Sequence, residues 1–243
     1  MPRTLVVGDI HGGLKALIQV LDQVAITSGD KFIFLGDYVD GWSESSEVIS
    51  FLLNFSEKYS CVFLRGNHDE LLYNYLKNGD KNPMWHAHGG ESSINSYSKL
   101  SEEKIKEHLN FLENLQNYHI DTKNRLYLHA GFTNIKGPQY EYFPELVYWD
   151  RTLWEMACGL DKNLAQEDNK YPKRLRLFNE IYIGHTPVTR IGKTVPVRFA
   201  NVWNIDTGAA FKGALSIIDA DTQEVWQSDP VWNLYPDESG RNN

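Results

Sequence analysis

Cysteine is nearly absent: Cys61 and Cys158 are the only two in 243 residues. Two thiols are too few for a disulfide framework or a cysteine-built zinc site. They read as small buried hydrophobes in a protein of a reducing compartment. Positive charge is also short, with 24 Lys and Arg against 32 Asp and Glu and a formal net charge of −8. Gripping a nucleic-acid backbone takes a basic surface, so no such partner is expected. The densest basic cluster, Lys173, Arg174 and Arg176, reads as a solvated stretch. No uncharged apolar segment has the length of a bilayer span. The chain enters the strand-like Leu5-Val6-Val7 without a signal peptide's apolar region and cleavage site. No internal repeat or composition break marks a second domain. The expectation is a cytoplasmic protein without membrane contact, a single domain over residues 1–235, and a disordered tail over 236–243.

The chain is 42% hydrophobic and 23% charged, which excludes a disordered polymer. Over the first 80 residues short β-branched runs alternate with amphipathic segments. Leu5-Val6-Val7, Phe32-Ile33-Phe34-Leu35 and Cys61-Val62-Phe63-Leu64 read as strands. Helices are expected over 14–24, 47–55 and 70–76, so the pattern implies an α/β fold with a parallel sheet. Residues 78–90 read as a loop and 101–117 as a helix. Leu126-Tyr127-Leu128 and Ile181-Tyr182-Ile183 read as further strands. The stretches 202–206, 214–219 and 224–226 read as an antiparallel finish.

The informative residues stand where the strands stop. The ends are Gly8-Asp9-Ile10-His11-Gly12, Gly36-Asp37-Tyr38-Val39-Asp40, Gly66-Asn67-His68-Asp69, His129-Ala130-Gly131 and Gly184-His185-Thr186. Ligands of open α/β sheets collect outside the carboxyl ends of strands, so these loops are expected to share one crevice. Carboxylate, imidazole and amide oxygen are ligands for divalent metals. Six candidates, Asp9, His11, Asp37, Asn67, His129 and His185, exceed the needs of one ion. They suit two ions about 3.5–4 Å apart with Asp37 as the bridge. His68, left over beside Asn67, suits an acid better than a ligand.

Taken together and in order, the five motifs resemble the signature of the phosphoprotein phosphatase family within the calcineurin-like metallophosphoesterases. They are similar above all to the compact bacterial and phage serine/threonine protein phosphatases. Asn204-Ile205-Asp206-Thr207-Gly208 is similar to the family's late strand, so the resemblance covers most of the chain. It implies a four-layer α/β/β/α sandwich with a binuclear metal site at strand C-terminal ends. It places Asp9, His11 and Asp37 on the first ion and Asp37, Asn67, His129 and His185 on the second. Mn²⁺ is the expected metal, with Fe or Zn also suited to mixed N and O ligands. His68 is expected to protonate the leaving oxygen, Asp40 to orient His68, and Arg65 and Arg151 to contact the phosphate. One position departs from the family's pattern: Arg usually follows the second Asp of the Gly-Asp-x-Val-Asp motif, and here Gly41 precedes Trp42. A phosphate clamp is therefore missing there.

The activity implied is hydrolysis of phosphoserine or phosphothreonine, and by extension phosphotyrosine, by a metal-bridging hydroxide. The substrate is then a phosphorylated protein or a small phosphoester. The alternative on the same metal core is a dinucleoside polyphosphate hydrolase or phosphodiesterase. A non-catalytic metal-binding domain would need neither His68 nor Asp40. His86 and His88 read as a loop wall near the crevice, His108 and His119 as ordinary residues, and Trp42 as packing rather than a stacking surface.

Overall fold

Period-two alternation sends successive strand residues into different layers, and the computed structural model, which describes residues 2–80 and 82–242, shows where each face goes. The strands begin with β1 (Thr4–Val7), β2 (Lys31–Phe34) and β3 (Ser60–Phe63). They continue with β4 (Tyr118–Ile120), β5 (Arg125–Leu128), β6 (Glu180–Ile183), β7 (Val197–Phe199) and β8 (Val202–Asn204), and end with β9 (Ser216–Asp219) and β10 (Val225–Gln227). They form two sheets, ordered β10-β9-β1-β2-β3 and β4-β5-β6-β8-β7. β1, β2 and β3 are parallel, as are β5, β6 and β8. The remaining pairings are antiparallel.

In β1 and β2, Leu5, Val7, Phe32 and Phe34 face outward onto α1 (Leu14–Gln23) and α2 (Ser45–Ser56). Their alternates Val6 and Ile33 face inward and meet Tyr127 of β5 and Tyr182 of β6. On the far side Leu126, Leu128, Ile181 and Ile183 pack against the helix Thr152–Cys158. Three apolar layers therefore separate helix, sheet, sheet and helix, which is the four-layer α/β/β/α sandwich. Among the described residues no helix is long and apolar enough to cross a membrane.

Several expectations need correction. The finish is not one antiparallel unit, because β8 runs parallel to β6 in the second sheet while β9 and β10 belong to the first. The helix expected from residue 70 begins earlier, as α3 (Asn67–Asn78). Asp69 accepts the backbone N–H of Gly66 at 2.9 Å and closes its first turn. Residues 83–85 and 86–90 form short helical turns rather than a loop. The helix expected over 101–117 spans Glu102–Glu113, with Ser101 capping it by accepting the N–H of Lys104 at 3.3 Å.

The C-terminal segment is not the expected disordered tail, because it has partners. Glu238 accepts the N–H of Ser43 at 2.9 Å and its hydroxyl at 2.7 Å. The N–H of Arg241 donates to the carbonyl of Ala210 at 2.9 Å. Trp42 is fully buried, stacks on Tyr235 at 5.2 Å, and donates its indole N–H to the carbonyl of Ala209 at 2.8 Å. Its role is packing.

One ion pair anchors the start of β1. Arg3 donates to Asp30 at 2.6 and 3.1 Å, and Asp30 also accepts the N–H of Thr27 at 2.8 Å. The Arg3 hydrogen bond, opposed by burial and helped by Thr27, lowers the Asp30 carboxyl to about 2. A depressed carboxyl stabilises the fold above its unfolded pKa, and that contribution is lost as pH falls through the folded value. Asp30→Asn should cost about 1–2 kcal/mol at pH 7, because the half-exposed Arg3 is partly screened. Denaturant unfolding at pH 7 and near pH 2 checks this: the gap from wild type should narrow in acid.

Candidate metal centre and cavity

The strand ends of both sheets open on one crevice. The first sheet delivers Asp9 and His11 after β1, Asp37 and Asp40 after β2, and Asn67 and His68 after β3. The second delivers His129 after β5 and His185 after β6. Two groups form with Asp37 in common: Asp9, His11 and Asp37, and Asp37, His129 and His185, each with ligand atoms within 4.8 Å of one another. Asn67 joins the second, its side-chain oxygen 2.9 Å from His185 Nδ1 and 3.2 Å from His129 Nε2. All six candidate ligands thus stand together.

Asp37 divides its oxygens between two tasks. Oδ1 accepts the N–H of His68 at 3.0 Å, in the first turn of α3. Oδ2 lies 3.5 Å from His11 Nε2 and 3.4 Å from His129 Nε2, between the two groups. The opposite ring nitrogens are held by carbonyls. His11 Nδ1 is 3.1 Å from Val39 O and 3.0 Å from Asp40 O, and His129 Nδ1 is 2.9 Å from Leu35 O. A carbonyl accepts only from N–H, so Nδ1 of each ring carries a proton, and in the neutral ring the Nε2 lone pair is the one left for the crevice. This close approach needs Gly66 and Gly184, where a Cβ would lie 2.1 Å from Asp37 Oδ1 and 2.0 Å from Asp9 Oδ1. His11, Asp37, Asp40 and His185 all have positive φ, between 53 and 70°. Such backbone strain persists only where the surroundings over-determine it.

The electrostatics leave a place for cations. Asp9, Asp37, Asp69 and Asp206 are all at most 4% exposed. Burial, with Asp206 and Asp37 nearby, raises Asp9 well above the usual carboxylate range. Burial also takes Asp69 up to about 7 and Asp206 up to about 6, Asp37 adding to both. Asp37 itself is lowered: burial opposes this, but His129, His68 and His11 outweigh it. Burial would lower His129, yet Asp37 overrides it and raises that ring to about 10. His11 and His185 are lowered by burial and stay neutral, as ligands require. Asp9 Oδ1 and His185 Nε2 are buried with no hydrogen-bond partner among the described residues. Orphaned acceptors among clustered carboxylates fit divalent ions.

His68 stands beside the cluster with its ring centroid 5.1 Å from that of His11. Its Nδ1 is 2.6 Å from Asp40 Oδ2. Asp40, fully buried, also accepts from the Trp85 indole at 2.6 Å and the Ser93 hydroxyl at 2.6 Å. Those contacts fix the carboxylate that fixes the imidazole. Trp85 and Ser93 lie in the segment read as a loop and just beyond it, and no sequence signal marked them.

A cavity of about 630 Å³ opens over the cluster. Arg151 lines it as expected, but Arg65 does not. Arg65 instead pairs with Glu70, one turn into α3, and donates to the carbonyl of Glu113 at 3.1 Å. The strand end aims that guanidinium away from the cavity. Arg190 and Arg241 line the cavity in its place, and motif reading passed over both. Among the described residues, none of Arg151, Arg190 and Arg241 makes an ion pair. His88 lines the wall as expected, and Asp206, within the late-strand stretch, lines it too. Gly41 has φ +116°, a conformation that disfavours any side chain there.

Comparison with known proteins agrees with this geometry. The family model described as calcineurin-like phosphoesterase matches residues 2–208. The chain is 28% identical over 234 residues to the asymmetrical bis(5'-nucleosyl)-tetraphosphatase PrpE of Halalkalibacterium halodurans, with 88% of each chain covered. Its fold is similar to a crystal structure described as a candidate diadenosine tetraphosphatase, with TM-score 0.62, 18% identity, and 93% of this chain and 95% of that one covered. It is also similar to a Saccharomyces cerevisiae serine/threonine phosphatase resembling human PP5, with TM-score 0.59, 13% identity, and coverage of 94% and 80%.

Two expected outcomes follow from the geometry. Asp37→Asn should lower the divalent metal retained after dialysis, measured by plasma mass spectrometry, because both groups share that carboxylate. His68→Ala should retain the metal yet lose on the order of 10²–10⁴ in turnover of an alkyl phosphate, with a smaller loss for a phosphate whose leaving group departs unprotonated. Equal losses for both leaving groups would assign His68 a structural role instead.

Proposed function

This chain belongs to the calcineurin-like phosphoesterase family, and we propose that within it the protein is a metal-dependent hydrolase of dinucleoside polyphosphates. The observation that carries this reading is the cavity's lining: Arg151, Arg190 and Arg241 stand with Trp149 and Phe211 above the carboxylate–imidazole cluster. A polyphosphate chain presents several anionic groups in a row, and guanidinium forks match phosphate oxygens bidentately. A nucleobase presents a π-face, and Trp149, 40% exposed, offers one to meet it. The local positive field also draws a polyanion to a chain of net charge −8. The similarity to a bis(5'-nucleosyl)-tetraphosphatase over 88% of each chain supports the same choice.

Asp9, His11 and Asp37 would hold one ion, and Asp37, Asn67, His129 and His185 the other. Mn²⁺ is proposed, and the donor set accepts Fe or Zn as well. Such ions supply Lewis-acid polarisation of phosphoryl oxygen and a water acidified towards neutral pH. The arginines neutralise the charge of the phosphate chain and hold it across the cluster. His68 donates a proton to the departing oxygen, its ring fixed by Asp40. Phosphate leaving groups need that proton less than an alkoxide does, so anhydride cleavage suits the site even where protonation is incomplete.

The phosphoprotein reading yields here to the alternative. It follows from the five motifs, and of its two expected phosphate contacts Arg65 is paired with Glu70 while Arg151 lines the cavity. The test is kcat/KM for a dinucleoside tetraphosphate against a phosphoserine peptide on Mn²⁺-loaded protein. The expected result is a preference of at least tenfold for the nucleotide, with unequal cleavage into mono- and triphosphate products. Faster turnover of the peptide would reinstate the phosphoprotein reading.

A further inference from the structure

The C-terminal segment delivers an arginine to the cavity by a defined route. Tyr235 stacks on Trp42, and Glu238 caps Ser43 through two hydrogen bonds. Gly240 then lies so close to Trp42 that a Cβ on it would meet the indole at 2.7 Å. The next residue is Arg241, its N–H tied to Ala210 at 2.9 Å. Its side chain passes in front of Gly41, where a Cβ would lie 3.3 Å from Arg241 Cγ. The guanidinium carbon sits 5.4 Å from the Phe211 ring. Its Nε is buried and has no hydrogen-bond partner among the described residues. A buried guanidinium N–H without an acceptor is costly unless a ligand provides one.

We propose that Arg241 is a phosphate-binding residue of this cavity, brought in by the C-terminal segment to fill the space that the bare Gly41 leaves open beside His11. Arg241 lines the same cavity as Arg151 and Arg190, with its Nε–H unpartnered among the described residues. Arg241 lies close enough to act electrostatically on its neighbours: it adds to the burial that lowers His11 and Arg151, and it opposes the burial that raises Asp206. A substrate phosphate would accept from Nε and a terminal amine together, the bidentate pairing that guanidinium favours. The segment's contacts with Ser43, Trp42 and Ala210 orient the side chain before substrate arrives, which limits the ordering cost of binding. This assignment rests on the reading of the cavity as a phosphate-ester or anhydride site.

The test is calorimetric titration of the full-length, Mn²⁺-loaded protein with inorganic phosphate, comparing wild type, Arg241→Ala and Arg241→Lys. Metal content and melting temperature are measured alongside. Arg241→Ala should weaken phosphate roughly ten- to a hundredfold with its metal content unchanged. Arg241→Lys should fall between the two, because it keeps the charge but loses the planar fork. If Arg241→Ala melts well below wild type, Arg241→Gln, which keeps the aliphatic stem to Cδ but lacks the guanidinium, makes the same comparison. Unchanged phosphate affinity in a folded variant overturns the assignment, and so does a loss of affinity that merely tracks a loss of metal. The nucleotide reading fails separately: a wild-type preference for the phosphopeptide defeats that reading while leaving the phosphate titration to judge Arg241.

Discussion

Everything at the crevice depends on one shared carboxylate. Asp37 closes β2 and reaches both halves of the candidate metal centre, one oxygen held by the first turn of α3 and the other set between His11 and His129. Its own backbone is strained, with φ of 53°. Asp69 holds that backbone, accepting the N–H groups of Asp37 at 2.7 Å, Tyr38 at 2.8 Å and Gly66 at 2.9 Å. One buried side chain therefore fixes the turn after β2 and caps the helix after β3. A single carboxylate ties the two loops together.

Burying four carboxylates with imidazoles, none of them in an ion pair with a lysine or arginine among the described residues, is unfavourable for the protein alone, since each charge is removed from water. The raised values of Asp9, Asp69 and Asp206 express that cost. The arrangement is the kind that divalent cations stabilise, so the same residues that strain the fold prepare the centre. The neighbouring His68–Asp40 pair is built differently. Asp40 is held by Trp85 and Ser93 as well as by His68, so its side chain is fixed in place and can orient the imidazole.

The cavity shows how charge is distributed against the average. An acidic chain places three arginines at the mouth of its acidic cluster, none of them consumed in an ion pair among the described residues. Each comes from a different segment: Arg151 before the helix Thr152–Cys158, Arg190 in the turn after His185, and Arg241 from the C-terminal segment. Arg65, the arginine nearest a motif, is the one that is neutralised, because α3 presents Glu70 one turn away.

The sequence by itself determined what was local. Strand and helix periodicity placed β1, β2, β3, β5 and β6. The short polar runs at their ends named the residues that converge, because a strand's end fixes where the next two or three side chains go. The pairing of Asp40 with His68 came from the resemblance of the motifs to a known family, not from the strand ends themselves. The tertiary structure alone decided what depended on distant partners. β4 and β7 are three-residue edge strands, too short for a periodic signal. β8 joined the second sheet because its face packs there, a choice alternation cannot express. Asn67 and His68 entered a helix because Asp69 caps it. Arg65 turned to Glu70, Trp85 and Ser93 reached Asp40 across more than forty residues, and Arg241 crossed two hundred to meet Gly41. No motif encodes such encounters, because contacts between residues so far apart exist only once the chain has packed.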